Sequence, residues 1–455
     1  MVSYPLSYQQ QAMWFLTQTA RAEEQCAFNL CYRIGVAGAI DSPSLRCAID
    51  RLAGRHPVLR MRIALDEDQP RQRPSDLAVP LRVVDLAPGA DVEQRALDLA
   101  TAEACRALSV EEGPLAAFLL IRLGSIQSHI VMNVHHLVSD GASIHILHRD
   151  LAAIYTQEAL GIPVELPELD CEYGHFAEAQ REAIDSGKLA GAQLFWQREL
   201  PSDAQALELP LDFCRRPARS YRGAFHTVRL PSELTRACRA MSFRHRVPVS
   251  SLLLAGYAAL LGRLTGQRRI LIGTSFVGRR QRASYRHCVG MFINTVPLYF
   301  DLRAAAAWPD VIQIVNRAFT RAYDHQDYPL QLLIEGRPAE RDWSKPALFQ
   351  MAFNFQSARP EDILWGEARE IDWERVFSPT IVFDLVLHVT DLAGDFTARF
   401  DYGADVYREQ SIVTLASHYI DILQEMLAEH TKGAPWSSPV AANCDPARVL
   451  EGQSG

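Results

Sequence analysis

Apolar residues fall along this chain in two rhythms, and the points where one gives way to the other mark its elements. Ile130 to Val134 is a mostly apolar run that predicts a buried strand, and it ends abruptly in His135-His136. After Ser139-Asp140-Gly141, the residues Ile144, Leu147, Leu151 and Ile154 recur at helical spacing, so a helix opens on that turn. Upstream, Ser7 is placed to cap a helix running through Ala12, Phe15 and Leu16. A strand-like stretch from Cys31 to Val36 leads into Asp41-Ser42-Pro43, where Asp41 or Ser42 caps a helix carrying Leu45, Ile49 and Leu52 and ending near Gly54. Val83 to Leu86 and Phe118 to Leu123 read as further strands. Strands interleaved with helices predict an α/β layer design.

Periodicity fades between Gln157 and Cys171, where Pro163 and Pro167 enter, and again from Pro201 to Arg222. A lobe boundary is expected in this region, placed just before Tyr173. The second half restarts the plan. Val228 to Leu230 is strand-like and a helix begins near Ser232. Pro248-Val249-Ser250 opens a strong helix with Leu253, Tyr257, Leu260, Leu261 and Leu264, stopped by Gly266, and Ile270 to Phe276 reads as a buried strand. After Glu429 the apolar rhythm is lost, so a loosely packed tail is expected. No short-period repeat is present, and the two halves are compatible with distant copies of one α/β unit.

At 455 residues the chain exceeds one ordinary core, which favours two lobes. Hydrophobic residues make up 48% and charged residues 22%, the balance of a soluble globular protein. A net charge of -8 argues against a general nucleic-acid binder. The nine cysteines are scattered without a C-x-x-C pair, which suits neither a disulfide framework nor a zinc site and fits a reducing cytoplasm. The N-terminus has no basic region followed by an apolar block. Leu252 to Leu261, the longest apolar stretch, is interrupted by Gly256 and Tyr257 and is too short to span a bilayer. A cytoplasmic protein without membrane contact is expected.

The residues with most chemical content are His135 and His136. A base-capable imidazole stands at a strand end, with the Asp140 carboxylate four residues later on the turn that opens a helix. Scaffolds place chemistry at such edges because the strand fixes the side chain while the loop admits substrate. A single histidine here would more often be a packed core residue, and Asp-Gly is ordinary turn chemistry. Two adjacent histidines alter this. Side chains on a strand alternate faces, so one can pack while the other faces a cavity, unless the strand has already ended.

Seven segments in a fixed order carry a family resemblance. They are Ser7-Tyr8-Gln9-Gln10-Gln11-Ala12-Met13-Trp14-Phe15-Leu16, Arg55-His56-Pro57-Val58-Leu59-Arg60, His135 to Gly141 as HHxxxDG, Tyr173-Gly174-His175-Phe176-Ala177, Val289-Gly290-Met291-Phe292-Ile293-Asn294-Thr295, His325-Gln326-Asp327-Tyr328-Pro329 and Arg341-Asp342-Trp343-Ser344. In this order and spacing the chain resembles the condensation domains of non-ribosomal peptide synthetases, from its start to about residue 430. The resemblance implies two chloramphenicol-acetyltransferase-like α/β lobes in a V-shaped pseudo-dimer with a tunnel between them. Residues 1–172 would form the lobe carrying HHxxxDG. Residues 173–455 would form the other, with crossover elements and the loose tail. It implies that His136 is catalytic and His135 supporting. Asp140 would be a structural anchor paired with Arg279, with Arg60 and Arg55 the next candidates. Gly141 would leave room for a phosphopantetheine arm, and Trp14, Ser139 and Asn294 would lie on the substrate side. For Asn294 the alternative is a strand-end amide that satisfies backbone.

The implied reaction is attack of an amine or hydroxyl on an acyl or peptidyl thioester, giving an amide or ester. No G-x-S-x-G elbow is present: Gly273-Thr274-Ser275-Phe276 lacks the final glycine. No cofactor is expected to be bound intrinsically, since the substrate rides on the phosphopantetheine of a carrier protein. The expected partners are a donor carrier protein and a small-molecule or carrier-bound acceptor, met by a monomer. Arg268, Arg269, Arg279, Arg280, Arg282 and Arg286 form the densest basic cluster. It reads as a solvated loop with one buried ion-pair partner, or, through Arg282 and Arg286, as a carrier contact. The rival readings are a coenzyme A-dependent acyltransferase of the same superfamily, an epimerisation domain, and a non-catalytic carrier-recruiting domain. Bulky residues usually stand in epimerisation domains where this chain has Ala142-Ser143. The HHxxxDG text looks most like the subtype that takes an L-configured or achiral donor. With no adenylation, carrier or thioesterase pattern after residue 430, the chain is expected to be either a free-standing condensation enzyme or one excised from a larger synthase, with free-standing use slightly favoured.

Overall fold

A computed structural model describes residues 3–428 other than 126, 205, 280–281, 338–343 and 359–362, together with Trp436. Arg280, most of the Arg341-Asp342-Trp343-Ser344 segment and nearly all of the tail after Glu429 therefore lie outside the described residues. The chain divides into two compact units. One comprises Met1–Ala190, Val277–Ile293 and Glu361–Thr380, and the other Gly191–Phe276, Asn294–Pro360 and Ile381–Gly455.

The first unit is built on a six-stranded mixed sheet ordered Leu364–Trp365, Ala368–Val376, Asn29–Ala37, Gln127–His135, Ala116–Arg122, Leu81–Asp85. Both faces of its central strands are covered, which is why Ile130 to Val134 reads as a continuous apolar run. Leu30, Ile34, Val36, Phe118, Leu120, Ile130, Met132 and Val134 join a large core with Leu45, Ile49 and Leu52 of the Ser42–Arg55 helix and Ile144, Leu147 and Leu151 of the Gly141–Leu160 helix. The alternate residues Cys31, Leu119, Ile121 and Val131 pack on Ala96, Ala100 and Ala104 of the Val92–Ala104 helix. Small side chains at four-residue spacing give that helix little hydrophobic contrast, so the pattern of the sequence does not announce it.

The second unit carries another six-stranded mixed sheet, ordered Ile293–Asp301, Arg269–Val277, Met351–Ala358, Leu385–Leu392, Asp395–Gly403, Gly223–Arg229. The Val249–Thr265 helix, buried from Ser251 to Gly262, forms its centre. Its end at Gly266, with φ 69°, is the left-handed stop expected of glycine. Tyr419 of the Glu409–Ala428 helix donates to Leu253 O at 3.0 Å. Trp436, the one described residue of the tail, is buried and donates through Nε1 to Ala305 O at 2.8 Å. Among the described residues no single helix is long and apolar enough to cross a membrane.

The division between units differs from a boundary at Tyr173. The Tyr173–Asp185 helix stays with the first unit, and the reason is local. Tyr173 Oη donates to Met291 O at 2.7 Å and lies 2.8 Å from Ser7 Oγ, while its ring covers Gly290. A Cβ on Gly290 would sit 1.9 Å from that ring, so only glycine permits the contact. The proline-rich stretch before Tyr173 is a surface connection within one unit, and loss of periodicity alone does not separate that case from a linker.

Candidate active site

The strand carrying the first histidine ends there. His135 closes Gln127–His135, and His136 begins a short 3₁₀ turn, His136–Val138, so strand alternation does not govern the second ring. His135 keeps the parity of Val131 and Asn133, facing the Val92–Ala104 side, and is buried. Its Nδ1 accepts from Leu137 N at 3.0 Å, and burial pushes its pKa down to about 3. It is a neutral packing residue that shapes the turn. The unfolded chain would bind a proton there near pH 6.5, so His135 erodes stability as pH falls from about 6.5 toward 3.

His136 differs in access and in hydrogen bonding. It is partly exposed, whereas His135, Ser139 and Asp140 are buried. Its Nδ1 lies 2.8 Å from Ser139 O, a pure acceptor, so Nδ1 carries the proton and the Nε2 lone pair is left unprotonated. Burial lowers its pKa, with the Asp140 charge opposing and Arg375 assisting, which keeps the ring neutral at physiological pH. Ser139 thus contributes its carbonyl to the tautomer; its hydroxyl is 3.4 Å from Asp140 O.

Asp140 caps the Gly141–Leu160 helix and is 1% exposed. Its Oδ1 accepts from Ser143 N at 2.8 Å. Its Oδ2 accepts from Arg279 Nη1 at 2.8 Å and from Phe292 N at 3.0 Å. Arg279 reaches further, donating through Nη2 to Ser143 Oγ at 2.6 Å and to Cys288 O at 3.2 Å, with its guanidinium 4.3 Å from the centre of the Phe292 ring. Ser143 Oγ donates to Gly290 O at 2.8 Å and accepts from Gly290 N at 3.0 Å. The segment around Gly290 is thereby fastened to the turn that follows the histidines. Arg55 goes elsewhere, donating to Asp150 Oδ2 at 2.9 Å beside His56.

Gly141, the first residue of the helix, faces open space: a Cβ there meets nothing within 4 Å. Trp14, on the Tyr8–Thr19 helix, is partly buried against the core of the first unit. Two residues of the site escaped the sequence reading. Gln10 donates to Leu137 O at 3.0 Å and so ties the opening motif to the histidine turn, and Ser143 is the hub described above. Their residue types signal capping, but the partners are 127 and 147 positions away.

Asn294 is 3% exposed, and its amide is committed to backbone. It donates to Gln326 O at 2.7 Å and Tyr328 O at 2.8 Å and accepts from Leu330 N at 3.3 Å. With all three bonds made to the segment after His325, this side chain is a loop clamp, and the substrate-side placement implied by resemblance gives way to the backbone alternative. Asn294→Ala strands two buried carbonyls at a cost of about 1–3 kcal/mol. The Leu330 amide should then exchange hydrogen faster, and unchanged exchange there would contradict the clamp.

The basic cluster is split. Arg268 and Arg269 belong to the second unit, Arg269 paired with Asp203 at 2.7 Å. Arg279, Arg282 and Arg286 belong to the first. Arg279 is held as above, while Arg282 and Arg286 are exposed.

The condensation-domain family model matches residues 2–434, and the chain belongs to that family. Relatives include phosphinothricin tripeptide synthetase PhsC of Streptomyces viridochromogenes, 29% identical over 93% of this chain and 39% of the synthetase. Tyrocidine synthase 2 of Brevibacillus parabrevis is 28% identical over 93% of this chain and 12% of its own length. The chain thus spans well under half of these longer relatives. Among solved structures, the condensation domain of the monacolin K polyketide synthase MokA superposes with a TM-score of 0.82 at 20% identity, covering 96% of this chain and 99% of that one. The X-domain in complex with OxyB from teicoplanin biosynthesis reaches 0.83 at 22% identity, over 97% and 96%. The fold is that of condensation domains, whose activity at the general level is acyl transfer with amide-bond formation on carrier-bound substrates.

Proposed function

We propose that this chain transfers an acyl or peptidyl group from a carrier-bound phosphopantetheine thioester to an amine or hydroxyl acceptor, with His136 Nε2 as the base. The observation that carries this reading is the bond from His136 Nδ1 to Ser139 O, which fixes the tautomer with Nε2 free on a ring that is neutral and partly exposed. The acceptor N–H or O–H gives its proton to Nε2 as nitrogen or oxygen bonds to the thioester carbonyl. The C–S bond then breaks and the proton passes to the departing thiolate, leaving the ring as it began. A thioester is already activated, so no covalent enzyme intermediate is needed. An amine of pKa about 8 is partly neutral at physiological pH and needs mainly orientation, whereas a hydroxyl needs the base fully.

The test is to mix the chain with acyl-loaded carrier protein and an amine or alcohol, with acyl-coenzyme A as the control donor, reading the carrier's intact mass. Unloading that requires the carrier and the acceptor supports the reading. Transfer from acyl-coenzyme A alone favours the acyltransferase alternative, and carrier binding without unloading favours a recruiting domain.

The open space at Gly141 supports passage of the substrate arm beside it, because neither packing nor backbone angle demands glycine there. Gly141→Ala should hold or raise stability by about 0.4–1 kcal/mol, since only the unfolded chain loses freedom. Gly141→Leu should fold and yet transfer more slowly from a carrier-bound donor; wild-type turnover by that variant would refute the assignment. The exposed charges of Arg282 and Arg286 suit contact with a carrier or its phosphate.

A further inference from the structure

The first unit carries a cation near its histidine turn that the acyl-transfer reading does not use. Arg375 lies in the Ala368–Val376 strand, opposite Tyr32 of Asn29–Ala37. Trp373 stands opposite Ile34, so Trp373 and Arg375 share the face that meets the Gly141–Leu160 helix, while Val376 packs on the other face with Cys31. Strand and helix run past each other in opposite directions. Trp365, paired with Ala368 where the strand begins, has its ring 5.9 Å from that of Tyr155. Glu370 Oε2 meets His148 Nε2 at 2.7 Å, and the Trp373 ring lies 4.2 Å from His148 and 4.4 Å from His145. Two further residues along the strand advance about 6.6 Å, and the helix turn from His145 back to Gly141 covers about 6 Å. Arg375 therefore arrives beside Gly141, where a Cβ would meet nothing within 4 Å, and beside the turn that begins at His136. In agreement with that placement, the Arg375 charge is one of those that hold the His136 pKa down.

The acids of this region are already engaged. Asp372 and Glu374, on the opposite face of the strand, pair with Arg33 at 3.2 and 3.0 Å. Glu370 takes His148 and accepts from the Trp365 indole N–H at 3.2 Å, and Asp140 takes Arg279. Arg375 is exposed and has no acidic partner among the described residues; its guanidinium stands 4.8 Å from the centre of the Phe377 ring.

We propose that Arg375 is a carboxylate subsite for the acceptor, and that the acceptor is a free amino or hydroxy acid. This rests on the acyl-transfer reading with His136 as base. The nucleophile has to sit at His136 Nε2, and in a 2-amino or 2-hydroxy acid the carboxylate is bonded to the carbon that bears the nucleophile. A cation on the rim of the same turn then meets both carboxylate oxygens through its planar fork and orients the attacking atom. A carrier-bound acceptor has a thioester in place of that carboxylate and offers the guanidinium nothing. The phosphodiester of a donor's arm lies at the end remote from the reacting thioester.

The experiment supplies acyl-loaded carrier protein to the full chain with each proteinogenic amino acid beside its carboxamide, and with lactate beside lactamide. In parallel, binding of the same compounds to the chain without carrier is followed by saturation-transfer NMR. The wild type should prefer the acid of its favoured pair, although the carboxamide amine is the less protonated at neutral pH because no neighbouring carboxylate holds its proton. Arg375→Met should raise KM for that acid roughly tenfold and leave its carboxamide unchanged, with Arg375→Lys recovering part of the loss. Acids that bind in an Arg375-dependent way without being acylated support the subsite while sinking the acyl-transfer reading. Transfer and binding indifferent to the carboxylate overturn the subsite and leave that reading standing. An Arg375→Met protein that slows acids and carboxamides alike also overturns it, because the guanidinium would then serve the donor.

Discussion

Replacing His136 by alanine should lower acyl transfer by roughly 10²–10⁴-fold, the usual contribution of a positioned acid–base group, while the melting transition stays near that of the wild type. The loss should be larger with an alcohol acceptor than with an amine, because only the hydroxyl depends on proton removal at neutral pH. With an alcohol acceptor, whose hydroxyl does not titrate in this range, the wild-type rate should hold constant from neutral pH downward and fall only below the ordinary histidine value of 6.5. The ring must be unprotonated to act, and burial depresses its folded pKa. His135→Ala tests a different property. That ring is buried and already engaged with Leu137 N, so its loss should appear first in stability and only secondarily in rate. A folded His136→Ala protein that forms product at the wild-type rate would remove His136 from the chemistry.

How much of this site was legible in the sequence depends on the range of the interactions. The local rules carried well. Ser7 caps its helix with Gln10 completing a capping box, Asp41 accepts from Ser44 N at 2.8 Å, and Gly266 ends the long buried helix. The strand that ends in His135 and the helix that follows Gly141 lie where their apolar spacing puts them. What periodicity does not carry is pairing across long separations. The hub at Ser143, the reach of Gln10 to Leu137 O and the commitment of Asn294 to the loop after His325 each join positions whose local sequence gives no sign of the other. The return of 277–293 and 361–380 to the first unit is of the same kind. A strand such as Ala368–Val376 has polar and charged residues on both faces, and its place beside Asn29–Ala37 is specified partly by Arg33, which pairs with Asp372 at 3.2 Å and Glu374 at 3.0 Å. Ionic specification of register has no period to detect.

Removing Arg279 should be the most damaging single change to the fold of this region. The Asp140 carboxylate is 1% exposed, and the Arg279 side chain is only 10% exposed, so solvent cannot substitute for the missing cation. Leaving one partner of a buried ion pair unpaired costs about 3–5 kcal/mol. Arg279→Ala should therefore lower the denaturation midpoint strongly. Arg279→Lys should recover only part of it, because a single ammonium does not reproduce the fork that meets Asp140, Ser143 Oγ and Cys288 O together. The double variant Asp140→Asn with Arg279→Met discriminates between an anchoring pair and two independent contributions. With the charge removed as well as its partner, the combined loss should be well below the sum of the two single losses, a coupling on the order of 1–3 kcal/mol. Additive losses, or an Arg279→Ala protein within about 0.5 kcal/mol of wild type, would show that the cap from Asp140 to Ser143 N suffices by itself. A coupled pair instead makes Asp140 and Arg279 the support on which the His136 turn rests. Activity in these variants should then fall through misplacement of His136 and recover in part wherever stability recovers.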